Sequence, residues 1–447
     1  MLNWLKAFNK KQKEVETMKF KKTVSILLLL VIVISMVALP TAVGAEATAS
    51  PQEFLDMQMD KYCINGVAYV TKNGKVICQN AYGMANVEEG KEMTVDTLFP
   101  IGSNSKQFCA TAILILRDQG KLSVDDTLSQ YFPEYTIAAN ATIKDLLTMR
   151  SGVRNHLEGL NKGEYTLSVD STEEENQQVI LDWLYSERLI FKPNGGFRYS
   201  NANYFLLSLI VEKVSGQDYD DFIKENILEP LGMNNTGFYE ELMNHPDLAE
   251  HTAPDFGLPI EPELKGLTQG CGDLVSNAED MDKWMTSLRE HKILSEESFA
   301  EMTTNYTSNG NYGYGVCTDG SGIVYHTGGI VSYLSMAVTF PEDKFNVFVV
   351  SNDYETGLSG VIEELSFELS MMFKDLKICG DVNIDMEVNV KDATMIQKAT
   401  AELVELSETE TLCADVNDDT DVNIKDATAI QKYIALVETN LPIGEYI

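Results

Sequence analysis

The chain has 447 residues, which is too long for one ordinary hydrophobic core and predicts two or three domains. Its 68 acidic residues against 34 basic ones give a formal net charge of −34 at pH 7, which argues against nucleic acid or an anionic membrane surface as a partner. The seven cysteines are scattered, with no Cys-x-x-Cys pair and no metal-ligand spacing, so a disulfide scaffold is not expected.

The N-terminal stretch has the features of a secretory signal. A basic stretch precedes an apolar run from Val24 to Leu39, and the small residues Val43 and Ala45 then stand at the −3 and −1 positions of a cleavage site. Residues 1–45 are therefore predicted to be a signal peptide, with cleavage after Ala47 and a start at Met18 as alternatives, and the protein is predicted to be exported. An uncleaved membrane anchor is the open alternative, although the apolar run is slightly short to span a bilayer.

A β-hairpin is predicted near the start of the main domain. β-rich runs at Gly66–Val70 and Lys75–Gln79 flank an Asn-Gly turn, which is a strong signal for a two-residue hairpin loop. Such a loop sets Tyr69 opposite Cys78. Cys63 is then out of register with Cys78, so a disulfide between these two cysteines is not expected.

Buried helices and a second hairpin follow. Phe108–Leu116 is apolar on nearly every face and predicts a buried helix, and Asn201–Gly216 repeats this design with a glycine at its end. Tyr333–Phe340 and Asn346–Ser351 are β-rich runs around a short turn, and a helical segment, Gly360–Phe373, comes after them. Strands at both ends with helices between them predict an α+β domain, in which one antiparallel sheet is built from both ends and a helical region is inserted.

Two residues at the start of the first buried helix suggest nucleophilic catalysis. Ser103 follows a glycine and Lys106 comes three residues later, so the hydroxyl and the amine can share one helix face. A serine hydroxyl becomes a good nucleophile only when a base removes its proton. By itself this pair could equally be a helix-capping serine beside a solvated lysine.

Two further polar sets accompany this pair. Tyr199-Ser200-Asn201 precedes the second buried helix, and His326-Thr327-Gly328-Gly329 stands beside the closing strands. The three sets in this order resemble the serine β-lactamase and penicillin-binding-protein family, particularly its class C β-lactamase-like and esterase-like branch. The resemblance extends from about Pro51 to Phe373 and includes the phrases FPIGSNSKQF, IKDLLTMRSGV, FRYSNANYFLLSLIVEKVSG and YGYGV.

The resemblance implies a serine hydrolase that works through an acyl-enzyme. It implies Ser103 as the nucleophile, Lys106 and Tyr199 as proton carriers, Asn201 as a hydrogen-bonding partner of the substrate, His326 as a group that holds or protonates the substrate, and the Ser103 and Gly329 N–H groups as the oxyanion hole. A hydrolase-like scaffold that is catalytically silent and acts as a binding component is the alternative, and the intact catalytic set counts against it.

The chain also departs from the family pattern. His326 stands where a lysine begins the third motif, and a histidine, with an ordinary pKa of about 6.5, is a poor permanent cation at neutral pH. This weakens the case for a true β-lactamase or D-Ala-D-Ala carboxypeptidase and favours esters or small amides. Met149-Arg150 stands where many relatives have histidine and threonine.

The last segment contains an internal repeat with a period of 34 residues. Asp381–Glu402 aligns with Asp415–Leu436, and 14 of the 22 aligned positions are identical. Each copy has oxygen-bearing side chains at positions 1, 3, 5, 9 and 12 of a loop, which is the spacing of an EF-hand calcium loop. The expected ligands of two structural Ca²⁺ ions are Asp381, Asn383, Asp385, Asn389 and Asp392 in the first loop and Asp415, Asn417, Asp419, Asn423 and Asp426 in the second.

Two details of these loops qualify the expectation. Position 6, usually a glycine, is Met386 in one loop and Thr420 in the other, which predicts a reduced calcium affinity because a non-glycine residue is strained at positive φ. An acidic turn that was duplicated without binding a metal is the alternative. Cys379 and Cys413 precede the loops at equivalent places, and whether they pair is left open.

Two loops that are each followed, but not preceded, by a helix resemble a type I dockerin. Such a module implies binding to a cohesin module of a scaffoldin protein in an extracellular, cellulosome-like complex that degrades polysaccharides. The recognition positions fall on Val390, Lys391, Gln397 and Lys398 in the first copy and on Ile424, Lys425, Gln431 and Lys432 in the second. The domains expected are thus a signal peptide at 1–45, a hydrolase domain at 51–376 and a dockerin, small and all-α, at 379–447.

Overall fold

A computed structural model describes residues 50–251, 264–307, 310–353 and 359–447. The predicted signal peptide, residues 1–45, lies outside these ranges. Within them, no helix is long and apolar enough to cross a membrane.

The main sheet has five antiparallel strands, which come from residues 66–82 and 324–351 and so from both ends of the α+β region, as predicted. Its order is β2-β1-β10-β9-β8, and a three-stranded sheet, β5-β7-β6, and a two-stranded one, β3-β4, accompany it. The strands are β1 (Gly66–Lys72), β2 (Lys75–Tyr82), β3 (Met84–Asn86), β4 (Lys91–Glu92), β5 (Phe99–Pro100), β6 (Gly237–Phe238), β7 (Leu274–Ser276), β8 (Val324–Ile330), β9 (Tyr333–Phe340) and β10 (Phe345–Ser351).

The helices lie on both faces of the sheet, in an inserted region and, for the last three, in the C-terminal segment. They are α1 (Pro51–Lys61), α2 (Ser105–Asp118), α3 (Leu128–Tyr131), α4 (Ile143–Leu147), α5 (His156–Asn161), α6 (Glu173–Ser186), α7 (Asn201–Ser215), α8 (Tyr219–Ile223), α9 (Glu229–Leu231), α10 (Tyr239–Leu242), α11 (Ala278–Arg289), α12 (Glu296–Met302), α13 (Ser359–Phe373), α14 (Val390–Thr400), α15 (Glu408–Ala414) and α16 (Ile424–Ile434). Short 3-10 turns cover Gly102–Asn104 and Thr136–Ala138, and a π-helical turn covers Lys224–Leu228.

The first hairpin forms at the predicted Asn-Gly turn, but its register differs from the prediction. Asn73 and Gly74 both have positive φ, which two-residue hairpin loops of this kind require. A β-bulge then shifts the pairing, so Tyr69 pairs with Gln79 and Cys78 with Val70. The prediction that Tyr69 lies opposite Cys78 is therefore wrong, because one extra residue in β2 leaves no signal in the pattern.

Both faces of the central strands are buried. Along β10, Val347 and Val349 pack with the layer formed by α1 and α13, and Phe348 and Val350 pack with the inserted helical region. In the sequence, these strands are therefore continuous runs of apolar residues. The two cores hold the sheet between the layers and fix the position of β8 at its edge.

The two predicted buried helices form the centre of the inserted region. α2 and α7 pack against each other, and Phe108 stacks on Trp284 of α11 with 4.0 Å between ring centroids. Gly216 ends α7 in the left-handed conformation, as predicted. The first turns of α2 and α7, which carry the predicted catalytic residues, are thereby brought together.

The C-terminal segment folds around the two repeats. α14 and α16 pack against each other over a small core that includes Val382, Ile396, Val416 and Ile430. The expectation that no helix precedes either loop is wrong for the second one. There Ser407 and Glu410 form a capping box that starts α15 directly before the loop.

Candidate active site

Ser103 lies in the 3-10 turn between β5 and α2. Gly102 has φ +52°, and a Cβ atom built on it would lie 2.7 Å from the backbone nitrogen of Gly329. Only a glycine therefore lets this turn approach β8 so closely. The close approach brings the backbone of Ser103 beside that of Gly329.

Lys106 is fully buried and points back to Ser103. Its Nζ atom lies 2.8 Å from Ser103 Oγ, 2.7 Å from Asn201 Oδ1 and 2.6 Å from the Cys271 carbonyl oxygen. The reading as a solvated lysine beside a capping serine is wrong, since the lysine is not exposed and Asn104, not Ser103, is the capping residue of α2. α2, α7 and the loop before β7 thus converge on one amine.

Tyr199 lies beside the Lys106 amine, and the contact is made by the aromatic ring of Tyr199. Lys106 Nζ lies 5.0 Å from the centroid of the Tyr199 ring. The same ring packs edge-on against Tyr312 at 6.0 Å and lies 6.2 Å from His326. None of the hydrogen bonds found among the described residues involves the Tyr199 hydroxyl, so its part in proton transfer stays a prediction.

His326 is buried and lies on β8. Its Nδ1 atom lies 2.6 Å from the Thr327 carbonyl oxygen, and its Nε2 atom lies 3.1 Å from the Tyr312 hydroxyl. Burial, together with the charge of Lys106, lowers the pKa of His326 to about 3. The imidazole is therefore neutral at pH 7.

The two glycines after Thr327 have different environments. A Cβ atom on Gly328 would lie 2.0 Å from the Ile101 carbonyl oxygen, so this position packs against the nucleophile turn. Gly329 is exposed, and a Cβ atom there would meet only Leu334 at 3.7 Å. The Gly329 backbone is therefore open to solvent, and its part in an oxyanion hole stays a prediction.

In the C-terminal segment, each predicted calcium loop is closed around its first carboxylate. The Asp381 carboxylate accepts from the backbone N–H groups of Asp385 and Met386 at 3.0 and 2.7 Å, and burial raises its pKa to about 6. In the second loop Asp426 Oδ1 is buried with no hydrogen-bond partner. Met386 and Thr420 at position 6 both have positive φ, as the sharp turn requires.

The donor set suits calcium. The loops bury carboxyl groups whose pKa is raised, and one of their oxygens has no hydrogen-bond partner. The cost of burying these groups is offset when a hard divalent cation binds between them. Amides contribute part of each set, and no three His, Cys, Asp or Glu side chains in the described ranges converge as a ready metal cluster. The ligand set predicted from the sequence stays a prediction, in which Asn383 and Asn417 would supply amide oxygens.

The predicted recognition positions lie on α14 and α16. Val390 and Ile424 are 61% and 53% exposed, and the lysines at the equivalent places of both helices are exposed as well. Cys379 and Cys413 are buried free thiols.

Comparison with known proteins decides the family. Residues 52–364 match the Beta-lactamase family model, and residues 379–435 match the Dockerin type I domain. The chain belongs to the beta-lactamase family. Members of this family are serine hydrolases, and dockerin modules of this type bind calcium and cohesin modules.

Individual relatives agree with this assignment. The chain is 29% identical to penicillin-binding protein 4* of Bacillus subtilis (strain 168), over 69% of this chain and 73% of that protein. It is 30% identical to the octameric penicillin-binding protein homologue from Pyrococcus abyssi, with a TM-score of 0.60 over 71% of this chain and 76% of that one. D-amino acid amidase from Ochrobactrum anthropi SV3, complexed with L-phenylalanine amide, is 25% identical with a TM-score of 0.58 over 72% and 97%.

Within this beta-lactamase fold, the structure adds residues that the sequence did not single out. Cys271 acts through its backbone carbonyl, which leaves no signal in a residue pattern, whereas Tyr312 belongs to the quoted phrase YGYGV. Met149 has φ +59°, and its sulfur accepts hydrogen bonds from Ser200 N and Asn203 Nδ2 at 3.5 and 3.1 Å. Met149 therefore anchors the segment that carries Tyr199.

Proposed function

We propose that the protein hydrolyses ester or amide bonds through an acyl-enzyme at Ser103. The observation that carries this proposal is the buried amine of Lys106, 2.8 Å from the Ser103 hydroxyl. Asn201 Oδ1 and the Cys271 carbonyl oxygen can only accept hydrogen bonds, so they take two N–H groups of this amine. The remaining position of Nζ is directed at Ser103 Oγ, 2.8 Å away.

Acylation then begins with proton removal. The Ser103 oxygen attacks the acyl carbonyl carbon while its proton moves to Lys106. The N–H groups of Ser103 and Gly329 stabilise the oxyanion of the tetrahedral intermediate, and one such donor contributes about 2.7–4 kcal/mol in serine hydrolases. Tyr199, beside Lys106, passes the proton to the leaving group. Water then attacks the acyl-enzyme and releases the acid.

Esters and small amides are the substrate class that the site favours. His326 is neutral, so the third motif lacks the cation that a lysine supplies to an anionic substrate. The amidase in the comparison was studied with an amide, which supports a carbonyl substrate with a nitrogen leaving group. Acyl groups on plant cell-wall material fit a dockerin-bearing enzyme better than peptidoglycan peptides or β-lactams.

We also propose that the C-terminal module carries the enzyme to a cellulosome-like scaffold after export. Two Ca²⁺ ions, one in each loop, would hold α14 and α16 in position. The eight recognition residues would contact a cohesin module, and the near-identity of the two copies would let either helix face the partner. The expected division into a hydrolase domain at 51–376 and a dockerin at 379–447 is part of this proposal.

An activity-based probe tests the hydrolase proposal. A fluorophosphonate should label the wild-type protein, and Ser103→Ala should abolish the labelling. Steady turnover of p-nitrophenyl acetate should be lost in Lys106→Ala and kept in Lys144→Ala, which removes a lysine that packs on Tyr306. A protein with neither labelling nor turnover would be the catalytically silent scaffold of the alternative.

A further inference from the structure

The turn at residues 268–273 presents the Cys271 carbonyl to Lys106. The N–H groups of Cys271 and Gly272 both donate to the Thr268 carbonyl oxygen at 2.9 Å. In a planar trans peptide the N–H and C=O groups point in opposite directions, so holding the Gly272 N–H also fixes the direction of the Cys271 C=O. That carbonyl oxygen lies 2.6 Å from Lys106 Nζ. The shape of the turn therefore decides whether the amine keeps this partner.

Asp273 closes this turn through its side chain. Its Oδ2 atom accepts a hydrogen bond from the backbone N–H of Gly270 at 2.7 Å. Gly270 is buried, and within the described part of the chain this carboxyl group is the acceptor found for its N–H. A buried N–H without an acceptor is costly, so the carboxyl group holds Gly270 in place.

The turn is tightly packed at Gly270. This residue has φ +68°, and a Cβ atom on it would lie 2.7 Å from the Ser208 Cβ atom and 2.8 Å from the Tyr204 carbonyl oxygen, both of α7. It would also lie 3.2 Å from the Cys109 sulfur of α2. The turn is thus enclosed by the two helices that carry the predicted catalytic residues, and a displacement of Gly270 has to pass along the turn.

Other helices hold the chain at the start of the turn. The buried His156 of α5 donates from Nε2 to the Leu267 carbonyl oxygen at 2.8 Å, because a carbonyl oxygen only accepts. Gln269 donates to Glu212 of α7, also at 2.8 Å. Asp273 supplies the corresponding contact at the end of the turn, so the turn is held on both sides.

We propose that Asp273 is a positioning residue, which fixes the Cys271 carbonyl at Lys106 and thereby directs the lysine amine at Ser103. Asn201 Oδ1 and the Cys271 carbonyl each take one position of the amine, and without the second acceptor the amine can turn away from the serine hydroxyl. The geometry of the turn does not depend on the proposed hydrolase function, whereas its effect on catalysis rests on that function.

The position of the Asp273 oxygen matters in this role, and its charge does not. The carboxyl groups of Asp220 and Glu173 line the same cavity and disfavour a negative charge there. Asp273 Oδ1 is buried and has no hydrogen-bond partner among the described residues, so an amide nitrogen in its place removes no hydrogen bond. Asp273→Asn therefore keeps the acceptor for Gly270, whereas Asp273→Glu keeps the charge but moves the oxygen by one methylene group.

Two measurements on the full-length protein test the positioning. The rate of labelling by a fluorophosphonate reports the activation of Ser103, and the ¹³Cε NMR signal of Lys106 reports the surroundings of its amine without any reaction. That signal is identified by its loss in Lys106→Ala. We expect Asp273→Glu to slow labelling about tenfold to 10²-fold and to shift the Lys106 signal, since misplacements of up to 1 Å have effects of this size. Asp273→Asn should recover most of the labelling rate and the wild-type signal.

Asp126→Glu is the matched control. Asp126 Oδ2 accepts from the Ser123 N–H at 2.8 Å, with the same spacing of three residues, in a turn after α2. Its lengthening should change neither the labelling rate nor the Lys106 signal. A Lys106 signal that stays unchanged in Asp273→Glu, or a loss of labelling in Asp273→Asn as large as that in Asp273→Glu, overturns the inference.

The remaining outcomes separate this inference from the hydrolase proposal. A wild type that is not labelled, together with the expected NMR signals, refutes the hydrolase proposal and supports the positioning of Lys106. If Asp273→Glu does not fold, amide hydrogen exchange decides. The Gly270 N–H should be protected in the wild type and in Asp273→Asn, and rapid exchange in either protein overturns the inference.

Discussion

Gly102→Ala tests whether the contact between the nucleophile turn and β8 builds the oxyanion hole. The new Cβ atom would lie 2.7 Å from Gly329 N, whereas ordinary contacts begin at 3.4 Å, so the two backbones must separate by about 0.7 Å. Such a shift moves an oxyanion donor away from the developing charge. We expect kcat/KM for p-nitrophenyl acetate to fall about 10²-fold, since sub-ångström to 1 Å misplacements and single lost donors have effects of this size.

Gly120→Ala is the matched control for this substitution. Gly120 also has positive φ, at +71°, but a Cβ atom there meets nothing within 4 Å. Both variants should lose roughly 1–2 kcal/mol of unfolding free energy for an alanine in the left-handed region, which thermal unfolding measures. Only Gly102→Ala should lose activity. If its kcat/KM equals that of Gly120→Ala, the Gly329 N–H does not act in the reaction.

Two further predictions concern other parts of the chain. Burial raises the pKa of Asp220 from 3.8 to about 9 and that of Asp273 to about 7, so the stabilisation of their neutral forms is complete below pH 4 and is lost as the pH rises to about 9. The Tm should therefore fall between pH 5 and 9, and Asp220→Asn should flatten that fall; an unchanged slope would contradict the assignment. In the C-terminal module, calorimetry should find two bound Ca²⁺ ions and EDTA should abolish cohesin binding. Asp415→Ala should remove one ion, whereas Glu405→Ala, which deletes an exposed charge outside the loops, should remove none. Cohesin binding that persists in excess chelator would refute the calcium requirement.

Much of the fold follows from local pattern. The apolar runs that become α2 and α7 are helical and buried as predicted, because a segment without a polar face has to be covered on all sides. The Asn-Gly turn likewise forms where positive φ is tolerated. The bulge at Val70 was not predictable, since a single extra residue in β2 leaves no signal in the residue pattern. α15 was missed because its start depends on one capping box in a polar stretch.

The residues of the candidate active site were likewise only partly predictable from the sequence. Ser103 and Lys106 were identifiable because three residues along a helix place two side chains on one face. The third acceptor of Lys106 was not identifiable from the sequence, because the Cys271 carbonyl lies 165 residues away in the chain and belongs to the backbone. Met149 was noticed only as a departure from a family pattern, because its sulfur accepts from residues about 50 positions away in the chain.

The sequence by itself determined which reactive groups the protein has, their order along the chain, and the spacing of oxygen ligands in the repeated tail. These are local properties, set by helix geometry and by residue chemistry within a few positions. Only the tertiary structure decided the direction in which Lys106 points and the charge that His326 carries. Both depend on burial and on partners from distant segments, because the cost of a charge is set by what surrounds it. His326, a weak cation by residue type, is therefore neutral in the folded protein.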